Sequence, residues 1–145
     1  FDAVDRIDEI DFDVDADAAV FDVVDFGCGS GNLGLPLAFL LPQYRFLLVD
    51  RNSVALRIAR QRAHAAGLRN VHFRQHEFEP PKTGFGSTSS TGRNFSSTRT
   101  SASVAAPDRS DFADGVRFRL GLGLHCCGWF SDVVLDTCLR AGASC

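Results

Sequence analysis

Val23-Val24-Asp25-Phe26-Gly27-Cys28-Gly29-Ser30-Gly31-Asn32 reads as a buried strand running into a glycine-spaced turn, and the apolar stretch at about 33–41 predicts a helix after it. Glycines at alternate positions let a backbone come close to a ligand, and the first turn of a helix offers N–H groups with no partner inside the helix. An aspartate at the strand end, just ahead of the first glycine, separates this turn from a phosphate cradle. A carboxylate there repels a pyrophosphate and welcomes a ligand bearing an ammonium group. The spacing Gly29-x-Gly31-x-x-Gly34 also satisfies the dinucleotide fingerprint, with Asp50 at the right distance to take ribose hydroxyls. On either reading a nucleoside binds here.

Working outward, residues 44–49 form a continuous apolar run with one arginine, as expected of a parallel strand covered on both faces, and the run ends in Asp50. Asn52 or Ser53 is placed to cap the next helix, whose packed stripe is Leu56, Ala59, Ala63 and Ala66, with Arg57, Arg60 and His64 on another face. Gly67 stops it. Residues 70–75 predict a third strand, followed by His76-Glu77-Phe78-Glu79. Val116, Phe118, Leu120, Leu122 and Leu124 alternate through a fourth strand, in which Gly121 and Gly123 predict a closely packed neighbour. Ser131 is the expected cap of a last helix with Asp132 in its first turn, packed through Val133, Val134, Leu135, Cys138 and Leu139. A fifth strand is expected to begin near Cys145. The helix at 33–41 is apolar all round, which predicts a sandwiched position.

The 145 residues, 45% of them apolar, amount to one domain with material for a core. Residues 1–20 hold eight acids and one arginine, so 1–19 reads as a solvated acidic lead-in; Asp11, Asp13 and Asp15 mimic the opening of a calcium loop but lack its glycine and glutamate. The other residues hold fourteen bases against ten acids, compatible with nucleic acid but without a dense basic run. Residues 83–103 contain twelve Ser or Thr and no apolar period, which predicts a disordered insertion at about 80–115. Five cysteines, two adjacent, argue against a secreted disulfide framework and for a reducing compartment, cytosol or nucleus. A zinc site from His125, Cys126, Cys127 and Cys138 lacks a C-x-x-C anchor, so no metal is expected. No apolar run is long enough to span a membrane. A chain without methionine is expected to be a piece of a longer protein.

Strand and helix alternate as in a doubly wound parallel α/β sheet, which binds ligands at the carboxyl ends of its strands. Asp25, Asp50, Glu77 and His125 fall at those ends. The pattern resembles the class I S-adenosylmethionine (SAM) methyltransferases, a Rossmann-like fold here truncated at its C-terminal side. Together with residues 24–50, the segment Leu124-His125-Cys126-Cys127-Gly128-Trp129-Phe130-Ser131-Asp132 resembles the methyltransferase-like domain that accompanies a glutathione-transferase C-terminal module. It is more distantly similar to tRNA 2′-O-methyltransferases with a His-x-Cys-Gly-x-x-Thr-Asp segment, Ser131 standing for the threonine.

The resemblance implies SAM as cofactor. Asp25 and the backbone of Gly27, Cys28, Gly29 and Gly31 would hold its methionine end, and Asp50 its ribose diol. Glu77 would take the adenine amino group, and the Phe78 N–H a ring nitrogen. His125, as an imidazole, is the candidate base; Cys127 and Asp132 are candidates on the substrate side. RNA leads as methyl acceptor, and a fused glutathione-transferase-like domain is the expected covalent neighbour. A non-catalytic SAM-binding module and a dinucleotide oxidoreductase are the alternatives. Without the later strands the chain alone is expected to be inactive.

Overall fold

The computed structural model describes residues 20–80 and 112–145. The acidic lead-in and residues 81–111 of the expected insertion lie outside the described residues. The elements in order are β1 (Val20–Phe26), α1 (Gly34–Leu40), β2 (Phe46–Asp50), α2 (Ser53–Ala65), β3 (Val71–Gln75), α3 (Phe112–Gly115), β4 (Arg117–Leu122) and α4 (Trp129–Ala141).

The four strands form one parallel sheet in the order β3-β2-β1-β4. The chain therefore builds outward from β1 through β2 to β3, then returns to the other side of β1. That reversal between β1 and β4 opens a crevice at the carboxyl edge, as in other doubly wound sheets. Ser144 makes an isolated parallel bridge to Leu120, its N–H donating to the Arg119 carbonyl and its carbonyl accepting from Gly121, so the end of the chain lies along the outer edge of β4.

Neighbouring residues on each strand point to opposite faces, which divides the core in two. Val23, Phe46, Leu48 and Phe73 pack with Leu35 and Ala38 of α1 and Leu56, Ala59 and Ala63 of α2. Val24, Phe26, Leu47 and Val49 pack on the other face with Phe112, Val116, Phe118, Val134 and Cys138. Each large apolar side chain so buried contributes roughly 1.5–3 kcal/mol.

Local signals explain the boundaries. Asn52 caps α2, its Oδ1 accepting from the Val54 N–H at 3.0 Å and the Ala55 N–H at 3.3 Å. Gly121 leaves the space in which Cys138 Sγ packs against β4; a Cβ there would collide with that sulfur.

Several expectations are corrected. Phe112–Gly115 is helical and Phe112 is buried, so the insertion ends before it. The α1 helix is not sandwiched: Gly34, Leu35 and Ala38 are buried and Leu37 packs at the margin of the core, while Phe39 and Leu40 are exposed. Ser131 does not cap α4. The helix starts at Trp129 behind Gly128, and the Ser131 hydroxyl donates to the Cys126 carbonyl. Leu135 and Leu139 are exposed, the packed positions of α4 being Val134, Thr137 and Cys138. Cys138 is disulfide-bonded to Cys145, where the cysteine count had argued against a disulfide framework and for a reducing compartment; Cys28, Cys126 and Cys127 are free thiols.

Candidate functional site

The turn after β1 is held from two strands. Gly27, Gly29 and Gly31 all have positive φ, which other residues rarely adopt, so the sequence meets this backbone with glycine. The Gly29 N–H donates to Asp50 Oδ2 at 2.7 Å, and the Asn52 N–H donates to Asp50 Oδ1 at 2.8 Å. Each carboxylate oxygen keeps a further lone pair for a hydroxyl donor. The Cys28 N–H donates to the Val49 carbonyl, tying the turn to β2 a second time.

Asp25 lies beneath this turn. It is 1% exposed, and its Oδ2 accepts from the Gly34 N–H at 3.0 Å, at the first residue of α1. Gly34 makes this approach feasible, since a Cβ would sit 2.8 Å from that oxygen. Burial pushes the Asp25 carboxyl up to about 6, against the Gly34 bond, which lowers it, and with the Asp50 charge, which raises it further. The Cys28 thiol is likewise pushed up by burial, then by Asp25 and Asp50, so it stays protonated and acts as packing.

Beside the turn is a crevice of about 250 Å³ lined by Gly27, Asp50, Arg51, His76, Phe78, Trp129 and Phe130. The Phe130 ring rests on the turn, 3.0 Å from where a Gly27 Cβ would be. Phe78 contacts Phe130 at 5.5 Å between ring centres, His76 at 4.5 Å and Phe26 at 5.7 Å. The lining thus combines polar groups with aromatic rings. A ligand with a diol at one end and a flat ring at the other matches both.

Of the residues expected from sequence, Gly27 and Asp50 line the crevice, Gly29 bonds Asp50, and Asp25, Cys28 and Gly31 lie in or under the same turn. Phe78 lines it with its ring. Glu77 does not: it is exposed, because the chain continues extended past β3 and sends His76 and Phe78 inward while Glu77 faces solvent. His125 and Cys127 are exposed on the turn after β4 and outside the lining, and Asp132 is exposed in the first turn of α4. Burial and the nearby Asp25 and Cys127 raise the Cys126 thiol, whose sulfur donates to the Phe26 carbonyl at 3.7 Å. Sequence reasoning missed Arg51, His76, Trp129 and Phe130 as lining. For His76 the available signal was its parity with Phe78.

Residues 19–85 match the family model described as a methyltransferase domain. That match covers just under half of the chain. The matched segment contains β1 to β3, the buried Asp25, the half-buried Asp50 and the glycine turn. The chain is 27% identical over 122 residues to a glutathione S-transferase C-terminal domain-containing protein of Bos taurus, covering 84% of this chain and 14% of that one. It is 44% identical over 63 residues to a ribosomal RNA small subunit methyltransferase G of Bacteroides fragilis, covering 43% of this chain and 31% of that one. The chain therefore spans less than a third of the length of these relatives. Among solved structures, PKMT2 of Rickettsia typhi in complex with AdoHcy overlaps 39% of this chain and 11% of that one at 27% identity, with a TM-score of 0.37. Among the described residues no group of His, Cys, Asp and Glu is arranged to hold a metal ion, and no helix is long and apolar enough to cross a membrane.

Proposed function

We propose that the crevice holds the adenosyl part of S-adenosylmethionine and that the protein containing this chain transfers the methyl group to an acceptor, RNA being the favoured class. The observation that carries the reading is Asp50. Its carboxylate is fixed by the Gly29 and Asn52 N–H groups in a crevice that aromatic rings also line. Two acceptor oxygens suit a ribose diol, and Phe78, Trp129 and Phe130 offer ring faces to a base. The methyltransferase segment favours SAM over a dinucleotide, and the buried Asp25 carboxylate disfavours a pyrophosphate over the turn.

When bound, the sulfonium supplies a methyl group that is displaced in line, a reaction in which alignment provides most of the rate. This chain's residues would hold the donor still and keep water from it. The RNA acceptor is supported by the relative's name as a ribosomal RNA methyltransferase and by the surplus of arginine outside residues 1–20.

Titration calorimetry of the intact protein with S-adenosylhomocysteine and with NAD tests the donor. We expect heat from the first and none from the second, and the reverse would overturn the reading. Labelled methyl offered with total RNA and with total protein tests the acceptor, and label confined to protein would remove RNA.

A further inference from the structure

Asp25 and Asp50 anchor the glycine turn from strand ends, but its apex is gripped from elsewhere. Arg62, near the end of α2, reaches back across the turn. One Nη1 group donates to the Ser30 carbonyl at 2.7 Å and to Asn32 Oδ1 at 2.8 Å, with Ser30 Oγ at 3.4 Å. Those two short bonds match the two protons that this nitrogen carries.

The strand anchors act on Cys28, Gly29 and Gly34, leaving the segment 30–32 between them. Within it, the Gly31 N–H donates to the Cys28 carbonyl at 2.9 Å, and the Ser30 hydroxyl donates to Asn32 Oδ1 at 3.4 Å, both inside the turn. The Gly31 carbonyl accepts from the Leu35 N–H of α1 at 3.2 Å, which leaves Ser30 and Asn32 without a backbone tie to a neighbouring element. Arg62 ties this apex to a helix whose own position is set by burial of Leu56, Ala59 and Ala63. Glycine backbone has the most freedom to lose on ordering, so an external tie matters most beside Gly29 and Gly31.

We propose that Arg62 is a positioning residue for the nucleoside site. By holding Ser30 and Asn32 it keeps the turn in the shape that a ligand meets, so the ligand does not have to order the turn itself. The proposal rests on the reading of the crevice as a SAM site. A guanidinium suits the task better than an ammonium, because its rigid fork loses less freedom per bond formed.

The test compares wild-type protein with R62A and R62K, each as the intact protein. It reads S-adenosylhomocysteine affinity by calorimetry and amide exchange at residues 29–32 and 56–63. We expect R62A to weaken binding about tenfold, corresponding to about 1.4 kcal/mol. Exchange should quicken at 29–32 and stay unchanged at 56–63, and R62K should recover part of both losses. In turnover, KM for the donor should rise with kcat held. Unchanged affinity in R62A overturns the proposal. So does quickened exchange throughout α2, which would make Arg62 a general support of the helix. Wild-type protein that takes no S-adenosylhomocysteine overturns the SAM reading instead, and the tie then stands or falls on the exchange difference at 29–32.

Discussion

The two turns that bracket the crevice, 27–33 after β1 and 123–128 after β4, have similar compositions and opposite constructions. The first has three glycines with positive φ, lies over a buried carboxylate and is bonded to a second one. The second has one, Gly128, and carries His125 and Cys127 into solvent. A polar residue near a strand end therefore enters a site only when the following backbone turns at once. Asp50 ends β2 and is held immediately. His125 follows a strand that stops at Leu122, three residues earlier, and that slack takes it outside.

The sharpest break of this contrast is Asp50→Ala. It leaves the Gly29 and Asn52 N–H groups without their acceptor and removes the proposed ribose contacts. Charge-assisted bonds of roughly 1.5–3 kcal/mol each predict at least a hundredfold weaker S-adenosylhomocysteine binding by calorimetry. Binding within threefold of wild type would put the ligand elsewhere.

Next comes the buried charge under the first turn. Asp25 holds its proton more tightly in the folded chain, at about 6, than in the unfolded one. The stability that its neutral form contributes is full below the ordinary carboxylate range near 4 and is lost as pH rises through about 6. Asp25→Asn keeps an oxygen for the Gly34 N–H and cannot ionise. From pH 5 to pH 8, wild type should lose stability relative to Asp25→Asn by about 1.4 kcal/mol, read from paired melting curves. Parallel pH profiles would mean that Asp25 is not buried as a charge.

The smallest effects separate the two sides of the second turn. Trp129→Ala should weaken S-adenosylhomocysteine binding about fivefold to tenfold by loss of ring contact. His125→Ala should change it less than twofold. A larger effect at His125 than at Trp129 would invert the assignment of this turn.

Much of this was legible because parallel strands covered on both faces are uninterrupted apolar runs, so β2 announces itself and Asp50 marks its end. The Asn52 cap and the glycine turn follow from residue chemistry alone. Phase was harder. An apolar helix such as α1 has no polar face to show which side meets solvent, so the exposure of Phe39 and Leu40 had no signal. After β3, the choice between His76 with Phe78 and Glu77 as the inward set depends on one residue of register. Alternating leucines extended β4 on paper to Leu124, which is 57% exposed, whereas the strand ends at Leu122. The short α3 follows a stretch without periodicity, and a single buried phenylalanine decides it.

The return of the chain to β1 also sets an order of events at the ribosome. Phe21 pairs with Phe118, so β1 keeps an unpaired edge until ninety-seven further residues have been made, a wait of roughly 5–20 s at ordinary elongation rates. Throughout it, Phe26, Leu47 and Val49 have no Val116, Phe118 or Val134 to cover them. A nascent chain ending just past β3 is thus a sticky half-sheet with a finished α1 and α2 face, a form suited to chaperone capture, and one that ribosome-bound chains cut at successive lengths would expose to crosslinking.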